Sequence, residues 1–290
     1  MDYIDLGATL FVPATHKNLF EIVCEGKYKA LKSVLVDTED GISQADLVMA
    51  KARIKQLLDS YQKKECHLFL RPKNPQFLEE LLGMEGIEKV DGFILPKFTL
   101  DNAGVYLQLL KQKDFYFMPS IEGSELFEKE KLQKLKDLLL AYKEKILLIR
   151  FGLEDMLRQL RMKRDCRYSI FDYSVTNVVL GEFLALFKSN GFAVSGGVFP
   201  CFKDTEGFIK DVERDLREGL FCKTVIHPNQ VGLCNELYKV KEEELRWAEV
   251  ILQSSDAVFA HEKNMVETTT MRPYAQEILR RFEVYGLVST

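Results

Sequence analysis

The sequence predicts an α/β fold of the (β/α)8 TIM-barrel class with a C-terminal helical appendage, and three observations predict it. Short β-branched or aromatic runs alternate with longer segments of helical periodicity, the pattern of βα units around a parallel sheet. The runs number eight, the barrel number. No GxGxxG and no GxxxxGK[ST] is present, and the first turn reads VPATHK. A doubly wound nucleotide-binding sheet, which has a Gly-rich phosphate turn after its first strand, therefore loses its main support.

In chain order the predicted strands are 8–13 (ATLFVP), 33–38 (SVLVDT), 66–71 (CHLFLR), 92–96 (GFILP), 115–121 (FYFMPSI), 146–151 (ILLIRF), 192–198 (FAVSGGV) and 222–226 (CKTVI). Each is a short apolar run of the length a buried parallel strand needs. The helices between them fall at 17–26, 43–61, 75–84, 101–112, 124–143, 174–190 and 204–218, most with an apolar stripe at helical spacing. The Phe-rich stretch FDYSVTNVVLGEFLALF reads as a core-facing helix. Beyond residue 230 come a charged helix at 240–254, a short segment AVFAHEKNMVE and a last helix at 271–284, more than an eighth barrel helix requires. The expected division is a barrel domain over 1–235 and a helical extension over 236–290 that could lie over a barrel mouth, its own or a neighbour's.

Composition narrows the function classes. With 40 basic against 44 acidic residues the net charge is -4, which gives no footprint for nucleic acid or an anionic membrane. No stretch reaches the 18 or so apolar residues of a membrane span, and no signal-like segment opens the chain, so a cytoplasmic location is expected. The six cysteines show no CxxC and no zinc-ligand spacing, and read as reduced, mostly packed thiols. With four histidines and no HExxH or GxSxG, zinc hydrolysis and serine catalysis find no support.

In a parallel barrel the chemistry sits at the strand C-termini. Five consecutive predicted strands end in ionisable residues: Asp37, Glu39 and Asp40; Arg71; Lys97; Glu122; and Glu154 with Asp155. Any one carboxylate there is also a natural helix cap or first-turn charge. Glu122 and Asp155 together suit magnesium, which takes one or two carboxylates and leaves its other positions to water and substrate. Arg71 ends HLFL before Pro72 and reads as a bidentate carboxylate grip, as an internal partner of Asp37, Glu39 or Asp40, or as both. Lys97 reads equally as an anion contact and as a solvated loop lysine, and His227 as structural rather than a base.

Read in order, LFVPA (10–14), VDTEDGI (36–42), FLRP (69–72), DGFILPK (91–97), SIEGSELFE (120–128), FGLEDM (151–156) and CKTVIHPNQV (222–231) resemble the HpcH/HpaI aldolase and citrate lyase β-subunit-like family over nearly the whole chain. The resemblance implies a TIM barrel, a homo-oligomer, and Mg2+ held by Glu122 and Asp155. It implies Arg71 in contact with substrate, with Phe11, Pro13 and Lys97 also binding substrate, and Glu39 and Asp40 near the metal. The chain departs from that pattern at three places. Gly7-Ala8 stands where members that bind acyl-CoA carry Arg-Ser, and Val175 stands where a second arginine is expected. Glu267 stands where some relatives carry an aspartate that acts in a neighbour's site.

The expected activity is Mg2+-dependent carbon-carbon cleavage of a small oxo or hydroxy acid or its thioester, in which Glu39, Asp40, Arg71 and Glu267 act as catalytic residues. An acyl-CoA thioesterase, a malate-synthase-like condensing enzyme and a non-catalytic subunit of a larger complex are the alternatives.

Overall fold

The computed structural model describes residues 1–62, 66–261 and 264–288. It divides into two compact units, 1–232 and 233–290. The first is built on a parallel sheet of seven strands: β1 (Thr9–Pro13), β2 (Ser33–Asp37), β3 (His67–Arg71), β4 (Gly92–Leu95), β5 (Tyr116–Ile121), β6 (Arg150–Phe151) and β7 (Thr224–Val225), in the order β6-β5-β4-β3-β2-β1-β7. The helices α1 (Leu19–Val23), α2 (Leu47–Ser60), α3 (Pro75–Leu82), α4 (Leu100–Leu110) and α5 (Lys129–Leu140) alternate with the strands, and α6 (Leu153–Gln159), α7 (Ser174–Ser189) and α8 (Thr205–Arg217) follow one another between β6 and β7.

The sequence forms these elements for local reasons. SVLVD is buried at every position, as a strand covered on both faces must be. Gly92 opens β4 because the strand passes so close to Tyr116 that a Cβ would overlap its carbonyl oxygen. Helix α3 begins with Pro75, behind Asn74, whose side chain accepts from the Phe77 N–H at 2.9 Å. Leu35, Phe69, Phe93, Ile94 and Phe117 are fully buried, each contributing about 1.5–3 kcal/mol of apolar transfer energy.

Three expectations are corrected here. The seventh predicted strand, 192–198, is present only as isolated bridges, Ile149↔Val194 and Ser195↔Phe221, and the strand expected at 146–151 is ladder-paired only at Arg150–Phe151. The glycines in VSGGV supply no packing side chains, and the Asp215 carboxylate abuts Gly196. The named sheet is thus seven strands and not a closed ring of eight.

The helix expected at 124–143 is broken into a 3-10 turn (Ser124–Phe127) and α5, because the Glu125 carboxylate turns back to accept the Leu100 N–H at 3.0 Å. Finally, Cys166 and Cys201 form a disulfide, with Cα atoms 6.2 Å apart across 35 residues of sequence. That proximity is tertiary, so no sequence spacing announced it; Cys24, Cys66, Cys222 and Cys234 are thiols.

A buried ionic network also ties the first unit together. Lys223, beside β7, bonds Asp211 at 2.7 Å and Asp215 at 2.6 Å, one turn apart on α8, and Arg164 bonds Asp211 at 2.8 Å. Burial pushes Asp215 up to about 7 despite Lys223.

Helix α9 (Pro228–Leu237) leads into the second unit, where α10 (Glu242–Gln253), the hairpin β8 (Val258–His261) and β9 (Asn264–Glu267), and α11 (Thr268–Tyr285) follow. The hairpin lies in the AVFAHEKNMVE segment, of which residues 262 and 263 fall outside the described residues. Val240, Leu245, Ala248, Ile251, Val266, Ala275 and Ile278 form the core of this unit. Among the described residues no helix is long and apolar enough to cross a membrane.

Candidate active site

Strand register assembles the first part of the site. Pro13 lies beside Asp37, and Asp37 beside Arg71, at the C-terminal ends of β1, β2 and β3. Arg71 Nε donates to Asp37 Oδ1 at 2.6 Å and Nη2 to Oδ2 at 2.9 Å, a two-point grip, while Nη1 lies 3.4 Å from Glu39 Oε2. The same Asp37 carboxylate accepts the Glu39 and Gly41 N–H groups at 2.9 and 3.0 Å, which fixes the loop carrying Glu39 and Asp40. The internal ion pair considered for Arg71 is therefore formed, and the guanidinium also stands 5.1 Å from the centre of the Phe11 ring.

Lys97 joins this group from the turn after β4. Its backbone adopts φ 45°, a left-handed conformation uncommon outside glycine, and this aims its N–H at Glu122 Oε1, 2.7 Å away. Asn102 Nδ2 donates to the Lys97 carbonyl at 2.8 Å and steadies the turn. The Lys97 ammonium contacts Glu39 Oε1 and, at 3.0 Å, Asp40 Oδ1. Lys97 thus pairs with both carboxylates of the loop after β2 while its side chain stays partly exposed to solvent. Burial, reinforced by Asp40, pushes the Glu39 carboxyl upward against the pull of Lys97 and Arg71. Burial opposes charge on Asp40 as well, but bonds from the Glu39 side and from Lys97 outweigh it and draw Asp40 down.

Glu122 follows β5 and is only 7% exposed. Its side chain lies against Gly152, where a Cβ would collide with Glu122 Cβ and Oε2, so the glycine is what gives the carboxylate room. Asp155 occupies the first turn of α6, and Gln159 Nε2 spans the two, donating to the Glu122 carbonyl at 2.6 Å and the Asp155 carbonyl at 3.4 Å. Burial first, then the negative charge of Asp155, raises Glu122 to about 7; the Lys97 N–H and Arg71 offset part of this.

Charge pairing is uneven across the site. Arg71 is taken up by Asp37 and Glu39, Lys97 by Glu39 and Asp40, and Arg158 by Asp155 at 2.5 Å. Among the described residues no basic side chain pairs with Glu122, and no three or more His, Cys, Asp or Glu gather as a cation cage. A buried carboxylate without a cation, beside a second carboxylate, fits a magnesium ion, which needs few protein oxygens and retains water.

Sequence reasoning missed three residues of this region. Arg158 and Gln159 lie three and four residues beyond Asp155, so they share its helix face, a signal the 3.6-residue period supplies. Arg150 stands in β6 inside the apolar run ILLIRF and is 4% exposed; the signal was the charge within the run. His227 stacks on Phe202 with ring centres 4.6 Å apart and accepts the Asn229 N–H at 3.3 Å, a turn-forming arrangement. Glu267 ends β9 in the second unit, with its side chain exposed.

A family model described as a C-C bond lyase of the TIM-barrel fold matches residues 1–287. The L-malyl-CoA/β-methylmalyl-CoA lyase of Cereibacter sphaeroides is 35% identical over 77 residues, 27% of this chain, and the match spans 24% of that lyase's length. A (3S)-malyl-CoA thioesterase of the same organism is 21% identical over 248 residues, 83% of this chain and 80% of the thioesterase. The crystal structure of the CitE protein of Mycobacterium tuberculosis with magnesium, acetoacetate and coenzyme A superposes with a TM-score of 0.72 at 21% identity, covering 96% of this chain and 98% of that one.

Proposed function

The chain belongs to the family of C-C bond lyases of the TIM-barrel fold, and we propose that it cleaves a carbon-carbon bond in a small oxo or hydroxy acid or its thioester, with Mg2+ held by Glu122 and Asp155. The observation that carries this reading is the buried Glu122, beside Asp155, without a basic partner among the described residues. When bound, magnesium supplies Lewis acidity toward the oxygen of the acid.

The remaining work belongs to side chains already fixed in place. In a retro-aldol direction Glu39, its carboxylate adjoining the Lys97 ammonium, takes the proton of the substrate hydroxyl. The C–C bond pair then passes to the departing carbon as the hydroxyl carbon becomes a carbonyl. Arg71 faces the carboxylate or enolate so produced and is pre-oriented by Asp37, which removes the freedom that would otherwise weaken the contact. Asp40 shares the Lys97 ammonium and keeps it over Glu39. Phe11 and Pro13 line the acid from β1. Glu122 and Glu39 are themselves buried, where such charge contacts act more strongly than at the surface.

The proposal also includes a catalytic region over 1–235, an extension over 236–290 that carries Glu267 as a further acid-base group for this site or a neighbour's, and a cytoplasmic homo-oligomer, which light scattering of the purified chain tests. The principal experiment measures Mg2+ binding and cleavage in Glu122→Ala and Asp155→Ala. Both variants lose both properties if the reading is right, and full lyase activity in either one overturns it. The likeness to a thioesterase over 83% of the chain favours thioester hydrolysis as a second reading. Incubation with acyl-CoA thioesters separates the two, because hydrolysis releases free CoA with the carbon skeleton intact, whereas cleavage releases a 2-oxo acid. Addition of glyoxylate identifies condensation, which alone consumes it.

A further inference from the structure

The turn between β4 and α4 presents four successive N–H groups, those of Lys97, Phe98, Thr99 and Leu100, and three are taken by β5 and the loop after it. Lys97 N–H donates to Glu122 Oε1 at 2.7 Å, Phe98 N–H to the Ser120 carbonyl at 2.9 Å, and Leu100 N–H to Glu125 Oε1 at 3.0 Å. The fourth, of Thr99, donates to Asn102 Oδ1 at 2.9 Å inside α4. The Phe98 bond joins main chain to main chain and asks nothing of the side chains. The bonds of Lys97 and Leu100 end on carboxylates three residues apart, so Glu122 and Glu125 grip the turn at its two ends.

Glu125 makes its bond at a cost. It is only 5% exposed, and among the described residues its Oε2 has no hydrogen-bond partner. A buried carboxylate oxygen without a donor is destabilising. A Cβ on Gly123 would collide with this same Oε2, so the glycine keeps the carboxylate's place open. Capping of α4 does not by itself account for the cost, because Thr99 and Asn102 already bond at the helix start and a first-turn N–H is readily met by water.

The Glu125 bond does bear on Lys97. The left-handed backbone of Lys97 persists only where its surroundings hold it. Asn102 holds the Lys97 carbonyl from α4 at 2.8 Å, and Glu125 in turn ties the first residue of α4 to the loop that carries Glu122. We propose that Glu125 is a positioning residue: it fixes the turn in which Lys97 gives its N–H to Glu122 and its ammonium to Glu39 and Asp40. The inference rests on the proposed roles of Glu122 and Lys97 and adds a residue that acts through them.

The test compares the wild type with Glu125→Ala, Glu125→Gln and Leu107→Ala. Leu107 is a buried residue of α4 whose truncation opens a cavity and lowers the melting temperature without touching the turn. Two quantities are measured: the solvent exchange rate of the Lys97 amide in metal-free protein labelled with 15N-lysine, its resonance assigned by its absence in Lys97→Arg, and Mg2+ affinity by calorimetry. Glu125→Ala is expected to speed Lys97 exchange about ten-fold and to weaken Mg2+ binding about ten-fold or more, the scale found when a group that orients a metal ligand is removed. Glu125→Gln keeps an oxygen for the Leu100 N–H and should stay within about three-fold of wild type in both. Leu107→Ala should lose melting temperature and change neither quantity more than about two-fold.

Unchanged Lys97 exchange in Glu125→Ala overturns the proposal, as does a Glu125→Gln as impaired as Glu125→Ala, or the same losses in Leu107→Ala, which would make them a matter of stability alone. Faster exchange with Mg2+ affinity retained also overturns it, provided that Glu122→Ala abolishes binding. If Glu122→Ala instead binds Mg2+ normally, the metal reading fails, and the Lys97 exchange rate, read without metal, still decides the role of Glu125. Should Glu125→Ala not fold, Gly123→Ala displaces the same carboxylate and is held to the same two outcomes.

Discussion

Glu122→Gln turns the electrostatics of the site into a stability measurement. In the metal-free protein burial and Asp155 raise the Glu122 carboxyl from its ordinary 4.5 to about 7. At about 1.4 kcal/mol for each pH unit, the native state above pH 7 carries a penalty of about 3 kcal/mol for keeping this carboxylate charged. The sign follows from the upward direction: the native state holds the proton more tightly than the unfolded chain, so stability is highest below pH 4.5. It falls as pH rises through the window from 4.5 to 7, and is level above it.

Gln keeps an oxygen to accept the Lys97 N–H and removes the charge. Urea unfolding in EDTA should therefore find the variant more stable than wild type by about 3 kcal/mol at pH 8, and by under about 1 kcal/mol at pH 5. Mg2+ at about one hundred times its dissociation constant should restore close to 3 kcal/mol to the wild type only and close the gap. A difference that does not vary with pH, or a variant weaker than wild type at pH 8, would refute the reasoning.

Other substitutions test the supports of the site. Gly152→Ala places a Cβ on the Glu122 side chain; we expect turnover to fall about 100-fold with weaker Mg2+ binding by calorimetry, and unchanged values would show that Glu122 has other room. Arg158→Ala releases Asp155 from a 2.5 Å ion pair at an exposed position. Mg2+ should then bind a few-fold tighter at low ionic strength, with the gain shrinking in salt. Arg71→Met leaves Asp37 buried without its two-point partner and should cost about 3–5 kcal/mol in urea unfolding. Much of this should return in the Arg71→Met/Asp37→Asn double variant, whereas additive losses would mean the pair does not act as a unit.

The parts of the fold legible in the sequence are those set by local pattern. SVLVD and HLFLR are continuous apolar runs, and their registered ends carry Asp37 and Arg71, so both strands and a mouth with polar residues could be read directly. Strand 192–198 could not be graded in the same way, because the weakness of VSGGV depends on Asp215 filling the space beside Gly196. The Cys166–Cys201 bond and the Arg164–Asp211 pair join residues far apart in the chain. Lys97 was ambiguous in sequence because its role depends on a left-handed backbone that orients its N–H, and no residue pattern in LPKF specifies that. Arg158 was legible and overlooked: three positions after an aspartate on a helix is a pairing distance.

Glu122 and Arg150 are opposite charges on adjacent strands, both buried, and each would be relieved by the other; yet among the described residues neither forms an ion pair. The reason lies in register. Arg150 aligns with Ser120, one layer below Glu122, and its guanidinium is held by Thr224 and Phe11 rather than left to turn upward. Glu122 is held by the Lys97 N–H and by the backbone at Gly152. The framework thus keeps two buried opposite charges apart at the expense of a pair that would stabilise the ligand-free chain, the pattern expected where stability is traded for binding. A collapsed Glu122–Arg150 pair in a high-resolution ligand-free crystal structure would remove the basis for the metal assignment.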